Sequence, residues 1–171
     1  MRELLISIAV LALIVGCSSK EEEKFLKIYE KNKNYHLGLQ KTEKTKLTDG
    51  NYTKVLLTAT YLFEPTADKN DTRDEKFVVG LYLDEEEGSF ESGEYNLTLN
   101  DTSPKSIRAL TKNDPLLKNI SFVSEWTEFY LFTFSHTKSR SFKLLLQSDS
   151  YGKGELHFAK VAKYVLSQET F

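Results

Sequence analysis

A period of two along most of the chain limits its fold more than any other feature. Val55, Leu57, Ala59, Tyr61 and Phe63 alternate with Lys54, Leu56, Thr58, Thr60 and Leu62. Successive side chains of an extended strand point to opposite faces, so this spacing makes one apolar face and one mixed face. The spacing recurs at Phe77, Val79, Leu81 and Leu83, at Tyr95, Leu97 and Leu99, and at Tyr130, Phe132 and Phe134. Phe142, Leu144 and Leu146, then Leu156 and Phe158, complete the series. An amphipathic helix would place its apolar residues three and four apart, so these segments read as half-buried strands.

Turn-forming residues separate the strands: Asp49-Gly50-Asn51, the polar stretch Thr66 to Asp74, Glu87-Gly88, Thr137-Lys138-Ser139 and Gly152-Lys153-Gly154. Short connections of this chemistry imply antiparallel neighbours, and several short strands so spaced predict an all-β sandwich or barrel. The expected fold is an immunoglobulin-like antiparallel β-sandwich, with an up-and-down β-barrel as the alternative. Asp114-Pro115-Leu116-Leu117 places a capping residue before a proline suited to a first helical position, and predicts one helical turn crossing between sheets.

The first residues follow a different logic. Leu4 to Val15 form an apolar run broken only by Ser7 and preceded by Arg2, which has the build of a secretory signal and is too short to span a bilayer. The run ends in Leu13-Ile14-Val15-Gly16-Cys17, with an aliphatic residue three before the only cysteine of the chain and a small residue just before it. This stretch resembles the lipobox of bacterial lipoproteins. The resemblance covers about the first twenty residues; it implies cleavage before Cys17, a diacylglyceryl thioether on that thiol and a palmitate-type acyl group on the new amine. Two or three acyl chains make a lasting membrane anchor where one would be marginal. In lipoproteins an Asp after the cysteine favours the inner membrane, so Ser18 points to the outer membrane of the envelope, facing the periplasm or the surface.

The resulting organisation is a signal peptide over 1–16, a lipidated Cys17 with a polar tether over 17–32, and one β-sandwich domain over 33–171. Phe25, Ile28 and Tyr29 sit at helical spacing and predict a short amphipathic helix within the tether. Removing Arg2 and Glu3 from 23 basic and 25 acidic residues leaves 22 and 24, a net charge of minus two. Basic and acidic side chains interleave without a basic block, which offers nucleic acid no attractive field. With Cys17 consumed by lipid no disulfide forms, so stability must come from an apolar core.

Three acceptor patterns stand out: Asp49-Gly50-Asn51-Tyr52-Thr53, Asp68-Lys69-Asn70-Asp71-Thr72 and Glu94-Tyr95-Asn96-Leu97-Thr98. Each is an N-x-S/T site with an acid two residues before, and resembles the extended acceptor of bacterial periplasmic oligosaccharyltransferases. The resemblance implies glycosylation at Asn51, Asn70 or Asn96, with Asn70 in the longest polar loop favoured; against it, Asp, Gly and Asn also gather in turns for backbone reasons alone. The sites at Asn100 and Asn119 lack the acid.

Asp68, Asn70, Asp71, Asp74 and Glu75 offer the oxygen ligands of a calcium site, as do Asp84 to Glu87. An EF-hand is excluded, since Arg73 stands where Gly is needed and Val79 where the bidentate Glu is needed; a solvated charged loop is the plainer reading. His36, His136 and His157 show no ligand spacing, and Ser92 in Phe90-Glu91-Ser92-Gly93 lacks the upstream glycine of a nucleophile elbow. No catalytic residue and no cofactor beyond the covalent lipid is indicated.

Trp126, Phe129, Tyr130, Phe132 and Phe134 cluster in one expected strand, with Phe129 and Leu131 making its second face apolar too. Such a strand is central and covered on both sides, by the N-terminal segment for example, or it exposes a patch for a partner. The expected function is therefore a membrane-anchored, noncatalytic binding, adhesion or envelope-assembly module, with an envelope protein, a host surface or a glycan as partner. The alternative is an envelope enzyme built from dispersed carboxylates and histidines.

Overall fold

The computed structural model describes residues 38–64, 66, 70–84 and 88–160. The lipobox with Cys17, the tether and its expected helix, His36, Asp68 and Glu85 to Glu87 lie outside the described residues. Eight strands follow in order: β1 (Thr42–Asp49), β2 (Tyr52–Tyr61), β3 (Glu75–Leu83), β4 (Tyr95–Leu99), β5 (Ser106–Leu110), β6 (Glu128–Phe134), β7 (Ser141–Ser148) and β8 (Gly152–Ala159).

They form a five-stranded sheet in the order β1-β2-β3-β6-β5 and a three-stranded sheet in the order β4-β7-β8. Every pairing is antiparallel. The expected all-β sandwich is what the chain forms. Its barrel alternative is ruled out, because the two sheets remain separate and β3 pairs with β6 rather than with its successor. From β2 onward the strand order is that of the seven-stranded immunoglobulin sandwich, ABED on one sheet and CFG on the other. In that scheme β2 is A, β3 is B, β6 is E and β5 is D, while β4, β7 and β8 are C, F and G. β1 is an additional edge strand outside A.

The inward positions of the alternating segments make the core. Phe77, Phe132, Phe134, Val55, Leu57 and Leu81 of the larger sheet meet Leu97, Leu144, Leu146 and Leu156 of the smaller one, all nearly inaccessible to solvent. Antibody domains join B and F by a disulfide; here the corresponding strands β3 and β7 meet through Phe77 and Phe142, edge to face at 6.0 Å. Tyr61 extends the cluster, 4.8 Å from Phe77 and 5.1 Å from Phe142. Each such pair contributes about 0.5–1.5 kcal/mol beyond its buried area, so aromatic packing occupies the place of the missing covalent link.

Two strands, β1 and β5, have no counterpart among the alternating segments, and both lie at the edges of the larger sheet. An edge strand needs few buried side chains: β1 buries only Leu47, and β5 only Leu110. β1 is held by pairing with β2 and by its contact with β8. There a Cβ on Gly154 would lie 2.5 Å from the Thr45 hydroxyl and 3.2 Å from Leu47, so the two sheets close this side only because residue 154 is glycine. Gly154 thus belongs to a strand rather than to the expected turn, which falls at 149–151 with Gly152 at φ +82°.

The helical turn occurs as a 3-10 segment, Pro115–Asn119, capped by Asp114, whose side chain accepts from the Leu116 amide at 3.0 Å. It does not cross between sheets. β5 and β6 are neighbours in one sheet, so the connection returns over the outer face of that sheet. Leu117 and, in part, Leu116 and Ile120 pack there against Val78, Leu110, Phe129 and Leu131. This second apolar cluster explains the doubly apolar β6: the strand is central, and among the described residues the cover of its outer face is the β5–β6 connection.

Candidate functional site

The outer face of the five-stranded sheet is covered over only part of its width. Its outward residues on β1, β2 and β3 include Lys44 and Lys46, Leu56 and Thr58, and Gly80 and Tyr82. Register places them in rows: Lys44 opposite Thr58, Thr58 opposite Gly80 and Gly80 opposite Phe129, with Lys46 opposite Leu56 and Leu56 opposite Tyr82. The Phe129 ring and the Thr127 methyl lie over Gly80, where a Cβ would come within 2.8 and 2.9 Å of them. In the next row, Leu56 of β2 and Tyr82 of β3 stay exposed.

The connection completes this surface. After Ile120 it presents three large apolar side chains within five residues: Phe122 at 51%, Val123 at 47% and Trp126 at 79% exposure. Exposed apolar groups gathered this closely are the kind of patch that protein, ligand and membrane contacts use. The backbone supports the same view. Phe122 adopts φ +69°, a left-handed conformation that costs a bulky residue of the order of 1–3 kcal/mol, while about half of the residue stays exposed. Lys44 sits over the Phe122 ring at 3.2 Å from its centroid, and the Ser124 and Thr127 hydroxyls bond at 2.8 Å across the base of the loop. Strain is thus held in place to display the ring.

A second cluster lies at the chain ends of several strands. Glu75, the first residue of β3, is 2% exposed. Its carboxylate accepts from the Thr137 amide at 2.9 Å, from the Lys160 ammonium at 2.6 Å and from the Tyr61 hydroxyl. His136 Nδ1 stands 3.4 Å from the same carboxylate and 3.1 Å from the Arg73 carbonyl. Burial, and then the bond to Glu75, pushes the Tyr61 hydroxyl well above the ordinary tyrosine value. Lys160 also donates to the Thr137 carbonyl, so both oxygens of Glu75 and its main cation are engaged inside the fold. Through these three bonds the carboxylate joins β2, β3, the β6–β7 connection and the end of β8.

Nearby, Arg73 forms a fork on Asp71 at 2.8 and 2.9 Å, and its donors hold the Asp71 carboxyl far below the usual carboxylate range. Asp74 pairs with Lys105 at 2.6 Å. The described members of the candidate calcium loop therefore face cations of the protein: Asp71 and Asp74 do so directly, Asn70 is exposed, and Glu75 is buried in its own cluster. Among the described residues no group of three or more His, Cys, Asp or Glu side chains could hold a metal ion. His157 is exposed on β8 beside Glu155 at 3.5 Å, remote in register from His136.

The three glycosylation candidates are all exposed and are not brought together. Asn51 lies in the β1–β2 turn, Asn70 in the β2–β3 connection, and Asn96 on the outward side of β4 opposite Gln147. Sequence reasoning placed Trp126 in a strand; it lies two residues before β6, in the loop. It placed Leu56 on the mixed face of its strand, where the structure leaves it exposed, but did not single out Phe122 or Tyr82. The tight S-F-V-S-E-W-T run, with three large apolar residues among small polar ones and no period of two, was the available signal. Comparison with known proteins finds no matching protein family, sequence relative or solved structure.

Proposed function

We propose that this chain is a lipid-anchored, noncatalytic binding module of the bacterial envelope, held at the outer membrane through Cys17. The observation that carries the binding role is the strained, exposed loop with Phe122, Val123 and Trp126 beside the open rows of Leu56 and Tyr82. Its apolar area is maintained on the outside of a fold that has enough aromatic residues to fill its interior. The buried Glu75 cluster supports the noncatalytic part of the reading, because its groups satisfy one another and tie strands together. Asn51, Asn70 and Asn96 are reachable acceptors for a glycan on surfaces away from that loop.

The test is crosslinking of the natively expressed protein in its envelope through a photoreactive residue at position 126, with identification of what is attached. The reading expects a defined adduct at 126 and none from the same probe at Asn113, an exposed residue of the same connection. Recovery of the bare monomer from both positions overturns the binding role. The mass of the N-terminal peptide checks the anchor: an unmodified Cys17 thiol, or a retained residue 16, removes it.

A further inference from the structure

We infer that the partner of the loop and outer-face surface is the anionic lipid surface itself, against which the domain lies. The inference rests on the reading of Cys17 as a membrane anchor and names the occupant of the surface described above. Three observations favour lipid. The first is the kind of side chain presented. Trp126 and Tyr82 have amphipathic rings of the sort that settle at headgroup depth, while Phe122 and Val123 are apolar groups suited to the acyl boundary just below. The second is charge. Lys44 and Lys46 project from the same face of β1, and Lys118 from the covering 3-10 segment, all exposed, with Glu125 the one exposed acid inside the loop. Among the described residues none of these three lysines is in a salt bridge, as holds also for Lys76, Lys112, Lys138 and Lys153 elsewhere, and Lys44 lies over the Phe122 ring. Unpaired lysines around an aromatic tip match a negative headgroup layer.

The third observation is where the anchored chain joins the fold. Twenty residues separate Cys17 from Gly38, and Gly38 packs on the 3-10 segment so closely that a Cβ would lie 2.9 Å from the Asn119 carbonyl oxygen. Asn119 is three residues before Phe122. Gly38, where the described chain begins, therefore lies on the side of the fold that carries the loop, so a tether ending there leaves this face free to reach the membrane. The loop then acts as a second contact beside the acyl chains, and sets which way the sandwich faces.

The chain has a single tryptophan, so position 126 reports on itself. The natively processed protein is reconstituted into vesicles of phosphatidylcholine and phosphatidylglycerol, with and without bromine on the acyl chains. A ring seated about 5–10 Å into the boundary region gives a blue-shifted emission, quenched about twofold by the brominated lipid and shielded from aqueous iodide. The double variant Phe122→Ser/Val123→Ser and the pair Lys44→Glu/Lys46→Glu should each reverse the bromine quenching while the protein still floats with the vesicles. Floated protein whose Trp126 ignores bromine and is fully open to iodide overturns the inference and leaves the anchor standing. Protein with an unmodified Cys17 that still floats and is quenched keeps the inference and removes the anchor. Protein that stays in solution removes both. A soluble peptidoglycan fragment that shifts the emission when brominated lipid does not would assign the surface to a glycan and overturn the lipid.

Discussion

On its inner face the five-stranded sheet meets a second sheet; on its outer face it meets one irregular connection that covers about half of it. The strands are the same. Inside, Phe77 and Phe132 are fully buried in the cluster formed by both sheets, with Phe77 against rings of β2, β6, β7 and β8. Outside, Val78 and Phe129 are enclosed by Leu117 and its neighbours, but Leu56 and Tyr82, in a neighbouring row of the same face, are not. A sheet face is therefore not core or surface by composition alone. What lies on it decides, and here the cover stops in a strained loop.

That contrast can be broken at several points. The largest effect is expected at Phe132→Ala, which empties the centre of the inner face and should cost about 3–5 kcal/mol in urea unfolding. A loss near 1 kcal/mol would mean that the inner face is no better packed than the outer. Next comes Glu75→Ala, which strands the Lys160 ammonium among buried groups; about 3 kcal/mol is expected, and a neutral result would show the cluster to be dispensable. Leu117→Ala tests the cover and should cost about 2 kcal/mol, less than the inner face because its neighbours Leu116 and Ile120 are partly hydrated already.

Smaller still is the acid sensitivity of that cover. The Leu116 amide and the Arg108 guanidinium hold the Asp114 carboxyl below its ordinary value of 3.8. A lowered folded value means that the stabilisation is complete above pH 3.8 and is lost as pH falls through the folded value. Asp114→Asn should flatten the acid side of the stability profile, and an unchanged profile would show the cap to be idle. Trp126→Ser should leave unfolding within about 0.5 kcal/mol of the parent while abolishing the crosslink from a photoreactive residue at position 123 of the same loop. A clearly destabilised Trp126 variant would turn the loop from a binding element into part of the cover.

How far the chain could be read in advance follows from which residues are buried on one side. β2, β3, β4, β6, β7 and β8 each place alternating apolar residues into one core, and that alternation is visible without coordinates. β1 and β5 bury one residue each, so their sequences TEKTKLTD and SIRAL carry no period. Their strand state comes from hydrogen bonds to β2 and β6, which a sequence does not display. The surface loop was hidden for the opposite reason: Phe122, Val123 and Trp126 look like core residues, and only their position reveals them as exposed. Glu75 was read as one member of an acidic loop; its partners Tyr61, Thr137 and Lys160 are 14, 62 and 85 residues away.

By itself, then, the amino-acid sequence determined that this chain is a two-faced β protein with turns at defined places, because side-chain alternation along a strand is a local property. It also carried the stretch Leu13 to Cys17 that resembles a lipobox, a resemblance of contiguous residues that owes nothing to the fold. The tertiary structure alone decided which strands share a sheet, that β1 closes against Gly154, that the 3-10 segment turns back over its own sheet, and that one aromatic cluster is core while another is surface. Those outcomes depend on long-range packing, in which a residue's environment is set by partners far away in the chain.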